Sequence, residues 1–210
     1  MSNFEAIVSA LMKGNLEAVT SLVQQSLDEG TPAEDILKQG LIRGMDIVGE
    51  KMQSGDLFIP EVLRSAKGMS AGVGLLKPHL ADASITTAGK IVIGTVKGDM
   101  HDIGKNLVKM MMESAGFEVN DLGTDVAPEA FVKAVQEDKV DIVAFSALLT
   151  TTMPMMKQTI DALTESGLRD NVKVMVGGAP VTQKFADEIG ADGYAPEAGS
   201  ANKMAKAMIK

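Results

Sequence analysis

Residues 90–108 read "KIVIGTVKGDMHDIGKNLV". The first seven are mostly β-branched and apolar, enough for one buried strand and too few for a helix. From Ile103 the pattern turns helical. The junction holds Gly98, Asp99, His101, Asp102 and Gly104. A strand that passes through a short polar loop into a helix is the opening unit of a parallel sheet, and the same unit recurs downstream. "VDIVAFSA" (140–147) and "VKVMVGG" (172–178) are further buried-strand candidates, with "FEVNDLG" (117–123) and "ADGYA" (191–195) as weaker ones. Helical patterns over 103–115, 128–138, 153–167, 181–189 and 197–209 separate them. Pro128, Pro154, Pro180 and Pro196 stand near the helix starts, where a missing N–H does no harm. Five alternations predict a doubly wound, five-stranded parallel sheet over 90–210, with strand order 2-1-3-4-5.

Toward the N-terminus the pattern is all helical. Phe4, Ile7, Val8 and Leu11 share one face, and Leu16, Val19, Leu22, Val23 and Leu27 repeat it after Gly14-Asn15. "TPAE" (31–34) predicts a helix start in which Thr31 caps and Glu34 reaches back. Leu37, Leu41, Met45, Val48 and Met52 form the face of that third helix. "SGDLFIP" (54–60) breaks it, and Pro60 opens a fourth helix. Four amphipathic helices with short connections predict an antiparallel bundle over 1–85. The polar stretch "ADASITTAG" (81–89) reads as a linker.

Composition narrows the chemistry. There is no cysteine, so disulfides, zinc ribbons, iron–sulfur clusters and thiol nucleophiles are excluded. A net charge of −8 without a basic cluster argues against nucleic acid. No leader-like or membrane-spanning stretch is recognisable, so a cytoplasmic protein with no membrane partner is expected. Aromatic residues make up only 3% and Met is abundant, which predicts aliphatic, methionine-filled cores.

In a doubly wound sheet ligands bind beyond the carboxyl ends of the strands. Three features fall on that edge: His101 among carboxylates after the first strand, the hydroxyl-rich "SALLTTTMP" (146–154) after the third, and "GGAP" (177–180) after the fourth. His101 is a candidate metal ligand or general base, or an ordinary hydrogen-bonded loop histidine. One His without Cys is poor for chelated zinc. No G-x-S-x-G, G-x-x-x-x-G-K-[ST] or G-x-G-x-x-G marks a hydrolase elbow or a phosphate cradle here. A lone imidazole does suit a metal that brings four equatorial ligands of its own, with Asp99 holding the other ring N–H.

Three motifs then carry a family resemblance. Asp99-Met100-His101-Asp102-Ile103-Gly104 resembles the D-x-H-x-x-G signature of cobalamin-binding domains. Ser146-Ala147-Leu148 resembles their later S-x-L, and Gly177-Gly178 their final G-G. "GMDIVGEKMQSGDLFIPEVLRSAK" (44–67) is similar to the helical cap that precedes such a domain in methionine synthase and in small corrinoid proteins. Length and layout resemble the corrinoid proteins of methanol, methylamine and betaine methyltransferase systems. The resemblance implies a bundle cap followed by a Rossmann-like, flavodoxin-like domain that binds cobalamin base-off, with His101 as the lower ligand of cobalt. It further implies that Asp99 and Thr152 form a relay behind His101, and that Gly104, Ser146, Leu148, Thr150, Gly177 and Gly178 line the slot for the nucleotide tail. Asp102 stands in the same cofactor loop and also suits a helix start. Met52, Ile59, Val62 and Leu63 would cover the upper face.

By the same resemblance the chain alternates between Co(I) and methylcobalamin forms. It would take a methyl group from a substrate-specific methyltransferase acting on a methylamine or a quaternary amine such as a betaine. A second methyltransferase would pass it to tetrahydrofolate or coenzyme M, a reductive activase would rescue oxidised cobalt, and the 81–89 linker would serve as a hinge. A cobalamin-dependent sensor and a methanol-specific corrinoid protein are the alternatives. A mutase subunit lacks a cap of this type, and a phospho-receiver needs an Asp where Ser146 stands.

Overall fold

The computed structural model describes residues 3–80 and 88–209. Two compact units divide the chain after Thr86, with Ser114–Gly116 grouped with the first of them. Most of the expected linker, and with it the expected hinge, thus lies outside the described residues.

The first unit is a helical bundle: α1 (Phe4–Met12), α2 (Leu16–Asp28), a long third rod, and α5 (Ile59–Leu76). The rod is composite. A single turn, α3 (Ala33–Asp35), runs into a π-helical segment (Ile36–Ile42) and then α4 (Arg43–Ser54). The even 3.6-residue spacing puts Leu37 in the core, but the structure buries Ile36, Gly40 and Leu41 and leaves Leu37 half-buried. A π turn adds a residue to each hydrogen-bonded ring and so rotates the buried face, which periodicity alone does not reveal. The start of the rod also differs from the sequence reading. Pro32 is extended (φ −56, ψ 132) and stands at the cap, so Thr31 does not cap; its N–H goes to the Ser26 carbonyl at 2.9 Å. Glu34 pairs with Lys38 instead of reaching back. The reciprocal glutamate bond appears at α5, where Glu61 Oε2 accepts from the Phe58 N–H at 2.9 Å. Small residues let the helices approach: a Cβ on Gly44 would stand 2.7 Å from Leu11 Cδ1. Ile7, Leu11, Ile36, Leu41 and Met45 fill the interior, at most 1% exposed.

The second unit is a five-stranded parallel sheet in the order β2-β1-β3-β4-β5. The strands are β1 (Lys90–Thr95), β2 (Glu118–Asp121), β3 (Ile142–Ser146), β4 (Lys173–Gly177) and β5 (Gly193–Ala195). The helices α6 (Ile103–Ser114), α7 (Pro128–Glu137), α8 (Pro154–Glu165), α9 (Gln183–Ile189) and α10 (Ala198–Met208) alternate with them. The central strands β1, β3 and β4 are almost wholly buried, as continuous apolar runs require, whereas the edge strand β2 alternates. Gly94 within β1 makes room for a ring: a Cβ there would stand 2.7 Å from Phe131 Cζ, and Phe131 meets Phe145 edge-on at 5.0 Å. In register, Thr95 lies beside Ser146 and Ser146 beside Gly177. The three loops singled out in the sequence therefore leave one edge of the sheet side by side. Among the described residues no helix is long and apolar enough to cross a membrane.

Candidate functional site

Asp99 is the hub of that edge. Its side chain is fully buried yet accepts from five donors. Oδ1 takes the His101 ring Nδ1 at 2.7 Å and the His101 N–H at 3.1 Å. Oδ2 takes the Leu148 N–H at 2.8 Å, the Leu149 N–H at 3.2 Å and the Thr152 hydroxyl at 2.8 Å. Burial opposes ionisation, but the bonds from Leu148, Thr152 and His101 together outweigh it and hold the carboxyl well below the usual carboxylate range. An ionised carboxylate can only accept, so Nδ1 carries a proton toward Asp99 and Nε2 is the ring nitrogen left for a metal. The Thr152 oxygen also lies 2.9 Å from the Leu149 carbonyl. It has one proton, and the carboxylate is the stronger acceptor.

The backbone around His101 is pinned independently. The buried Thr95 hydroxyl donates to the His101 carbonyl at 2.9 Å. Asp102 precedes α6: its carbonyl accepts the Asn106 N–H at 2.7 Å and its Oδ2 the Asn106 amide at 3.0 Å, so it fastens the helix start. Buried Lys105 ties α6 to Asp121 at the end of β2, with 2.6 and 2.7 Å to its two oxygens.

The other residues singled out in the sequence divide by place. Ser146 ends β3, half-buried, while Leu148 and Thr150 are exposed on the following loop. Gly177 and Gly178 are half-buried at the end of β4. The double glycine reads in the sequence as room for a bulky group, but Gly178 also has an internal reason. Its φ is +127, and a Cβ would stand 1.9 Å from the Ala147 carbonyl oxygen. Gly104 is the opposite case, since a Cβ there would meet nothing within 4 Å. In the helical unit Val62 is buried, Ile59 is 47% exposed, and Met52 and Leu63 are half-buried. Thr95, Leu149, Lys105 and Asp121 escaped the sequence reading. Backbone N–H groups carry no residue signature, and nothing in "NDLG" tells of a lysine sixteen residues earlier.

This edge fits a large metal macrocycle. His101 is half exposed with Nε2 free of Asp99. Met100 (69% exposed), Ile103 (82%), Leu148 (44%) and Leu149 (41%) surround it with uncovered apolar surface, and the glycine in the first turn of α6 leaves open space. Among the described residues no cluster of three or more His, Asp or Glu could chelate a bare ion.

The comparisons agree with that geometry. A B12 binding domain matches residues 89–202, and a second B12 binding domain matches residues 4–77. This chain belongs to the B12-binding corrinoid proteins. It binds cobalamin, whose cobalt comes with the macrocycle. Dimethylamine corrinoid protein 1 of Methanosarcina acetivorans is 45% identical over 98% of this chain and 96% of its own. Trimethylamine corrinoid protein 2 of the same organism is 44% identical over the whole of both chains. The solved methanol:cobalamin methyltransferase complex of Methanosarcina barkeri contains a chain that is 34% identical with a TM-score of 0.85, covering 97% of this chain and 78% of that one. The corrinoid assignment thus rests on both units.

Proposed function

We propose that this corrinoid protein carries methyl groups between two partner enzymes, with His101 as the lower ligand of cobalt. The observation that carries this reading is the Asp99–His101 pair: a buried anionic acceptor on Nδ1 and a free Nε2 at a half-exposed sheet edge. When bound, the corrinoid supplies the metal centre that accepts and releases the methyl group. The chain's own residues orient the ligand. Asp99 fixes the tautomer and raises the basicity of Nε2, and Thr152 with the Leu148 and Leu149 amides holds Asp99 in place. Gly104, Ser146, Leu148, Thr150, Gly177 and Gly178 line the slot for the nucleotide tail, and Asp102 anchors the helix at its rim. Met52, Ile59, Val62 and Leu63 form the cap for the upper face.

The partners are a substrate-specific methyltransferase, a second methyltransferase that delivers to tetrahydrofolate or coenzyme M, and a reductive activase. The donor is a methylamine or a quaternary amine such as a betaine. Similarity favours methylamines over methanol: among the solved structures the monomethylamine corrinoid protein of Methanosarcina barkeri is 39% identical and the chain of the methanol complex 34%. The protein works in the cytoplasm.

Reconstitution under reducing conditions tests the reading. The wild-type protein is expected to turn red-brown with a base-off, histidine-on spectrum and to accept methyl groups from a methylamine-specific partner. His101→Ala is expected to bind cobalamin without the histidine-on bands. Unchanged bands in that variant would sink the ligand assignment. Gly104→Ala separates the slot from the fold. Its Cβ meets nothing, and alanine is favoured over glycine in a helix by about 1 kcal/mol. Thermal denaturation of the cofactor-free variant should show equal or higher stability, while titration should show weaker cobalamin binding. Wild-type affinity would remove Gly104 from the slot.

A further inference from the structure

The loop that carries His101 is gripped from a second side, by a residue with an unusual backbone. Asp125 lies in the connection between β2 and α7 and has φ 53, the one positive value outside glycine among the described residues. That conformation is disfavoured for L residues, least so for Asn and Asp. Both polar ends of Asp125 go to the His101 loop. Its N–H donates to the Asp99 carbonyl at 2.9 Å, and its Oδ1 accepts the Gly98 N–H at 2.7 Å. Gly98 and Asp99 are thus held from both sides, and the left-handed backbone is what lets one residue turn both groups toward one loop. The neighbouring bonds extend the grip: the Val126 N–H donates to the Thr95 carbonyl at 3.0 Å, and the Thr95 hydroxyl holds the His101 carbonyl. Asp125 is exposed and fills no core, so its strained conformation has no packing explanation.

We propose that Asp125 is a positioning residue for His101. It fixes the Gly98–Asp99 segment so that the buried carboxylate stays where it receives Nδ1–H, and it thereby sets how readily His101 takes up cobalt. The second half of this statement rests on the reading of His101 given above.

Three variants separate the causes. Asp125→Asn keeps an acceptor oxygen and tolerates the left-handed backbone. Asp125→Gly relieves the backbone but removes the acceptor, and Asp125→Ala removes the acceptor and keeps the strain. The first readout is the nitrogen-15 spectrum of the His101 ring in cofactor-free protein, assigned by its loss in His101→Gln. Wild type and Asp125→Asn should show the Nδ1–H tautomer, and Asp125→Gly a mixture. The second is the histidine-on to histidine-off ratio after loading with cobalamin. It should fall about tenfold or more in Asp125→Gly and Asp125→Ala, the size expected for one lost charge-assisted hydrogen bond, and return in Asp125→Asn. Wild-type ring signals and ratio in Asp125→Gly would overturn the proposal, as would an equal loss in Asp125→Asn. A wild-type protein that binds cobalamin without histidine-on bands would overturn the ligand reading instead, and the ring spectrum would then decide the positioning role alone.

Discussion

Gly178→Ala is expected to leave the sheet unit unable to fold. The added Cβ would stand 1.9 Å from the Ala147 carbonyl oxygen, 2.9 Å from its carbon and 3.2 Å from its nitrogen. All three are backbone atoms, so no side chain can rotate away, and φ of +127 is itself closed to L side chains. Relief requires prising the end of β4 from the end of β3, where the Ala147 N–H meets the Gly177 carbonyl at 3.3 Å. We expect a cost above about 4 kcal/mol, a large part of the stability of an ordinary domain. Soluble yield and circular dichroism would show it. Gly177→Ala is the control: its closest contact is 3.0 Å to the Ala195 oxygen, and its loss should be smaller. A Gly178→Ala protein that melts within a few degrees of wild type would contradict the close approach of the two strand ends.

Asp99→Ala should destabilise the protein by about 3–5 kcal/mol, because several donors would be left buried without an acceptor. Asp99→Asn is the more informative change. One amide face must meet either the two backbone N–H groups and the hydroxyl on the 148–152 side or the His101 side. The second is cheaper, since imidazole can accept at Nδ1 by moving its proton to Nε2. The variant should then fold with a loss of about 2–4 kcal/mol and present a protonated Nε2, which cannot ligate a metal. Chemical denaturation and the ring nitrogen spectrum would check the two parts.

The pH dependence has a definite sign. The folded pKa of Asp99 lies below its unfolded value, so its stabilisation is present above the unfolded pKa of about 3.9 and is lost as pH falls through the folded pKa. The stability gap between wild type and Asp99→Asn should therefore narrow as pH falls below about 4. A gap that widens below about pH 4 would contradict a depressed pKa.

Much of this was legible in the residues, for reasons that can be named. Buried parallel strands must be continuous apolar runs, and prolines at helix starts punctuated the chain between them, so a doubly wound parallel sheet followed from five alternations, and its expected order 2-1-3-4-5 is the one observed. Strand ends moved by one or two residues: "VDIVAFSA" suggested 140–147, and pairing holds Ile142–Ser146. The sheet edge was legible because Asp99 and His101 have distinctive side chains and a double glycine ends a strand, while Thr152 came from the family resemblance. What was not legible depends on backbone geometry. The π segment is a local change of helix winding, while the Leu148 and Leu149 amides, the bonds of Asp125 and the reason for Gly178 arise from how two distant stretches of main chain approach each other.

Asp99 also bears on when the site comes into being. Three of its donors, Leu148, Leu149 and Thr152, lie 49 to 53 residues further along the chain. Until β3 docks beside β1, that carboxylate has no reason to leave water and nothing fixes the imidazole it is to hold. During synthesis a nascent chain with β1 already formed still lacks a settled His101 until Thr152 has emerged and paired. A His101 able to ligate is thus expected to arrive in one cooperative step, when the 148–152 stretch docks on Asp99.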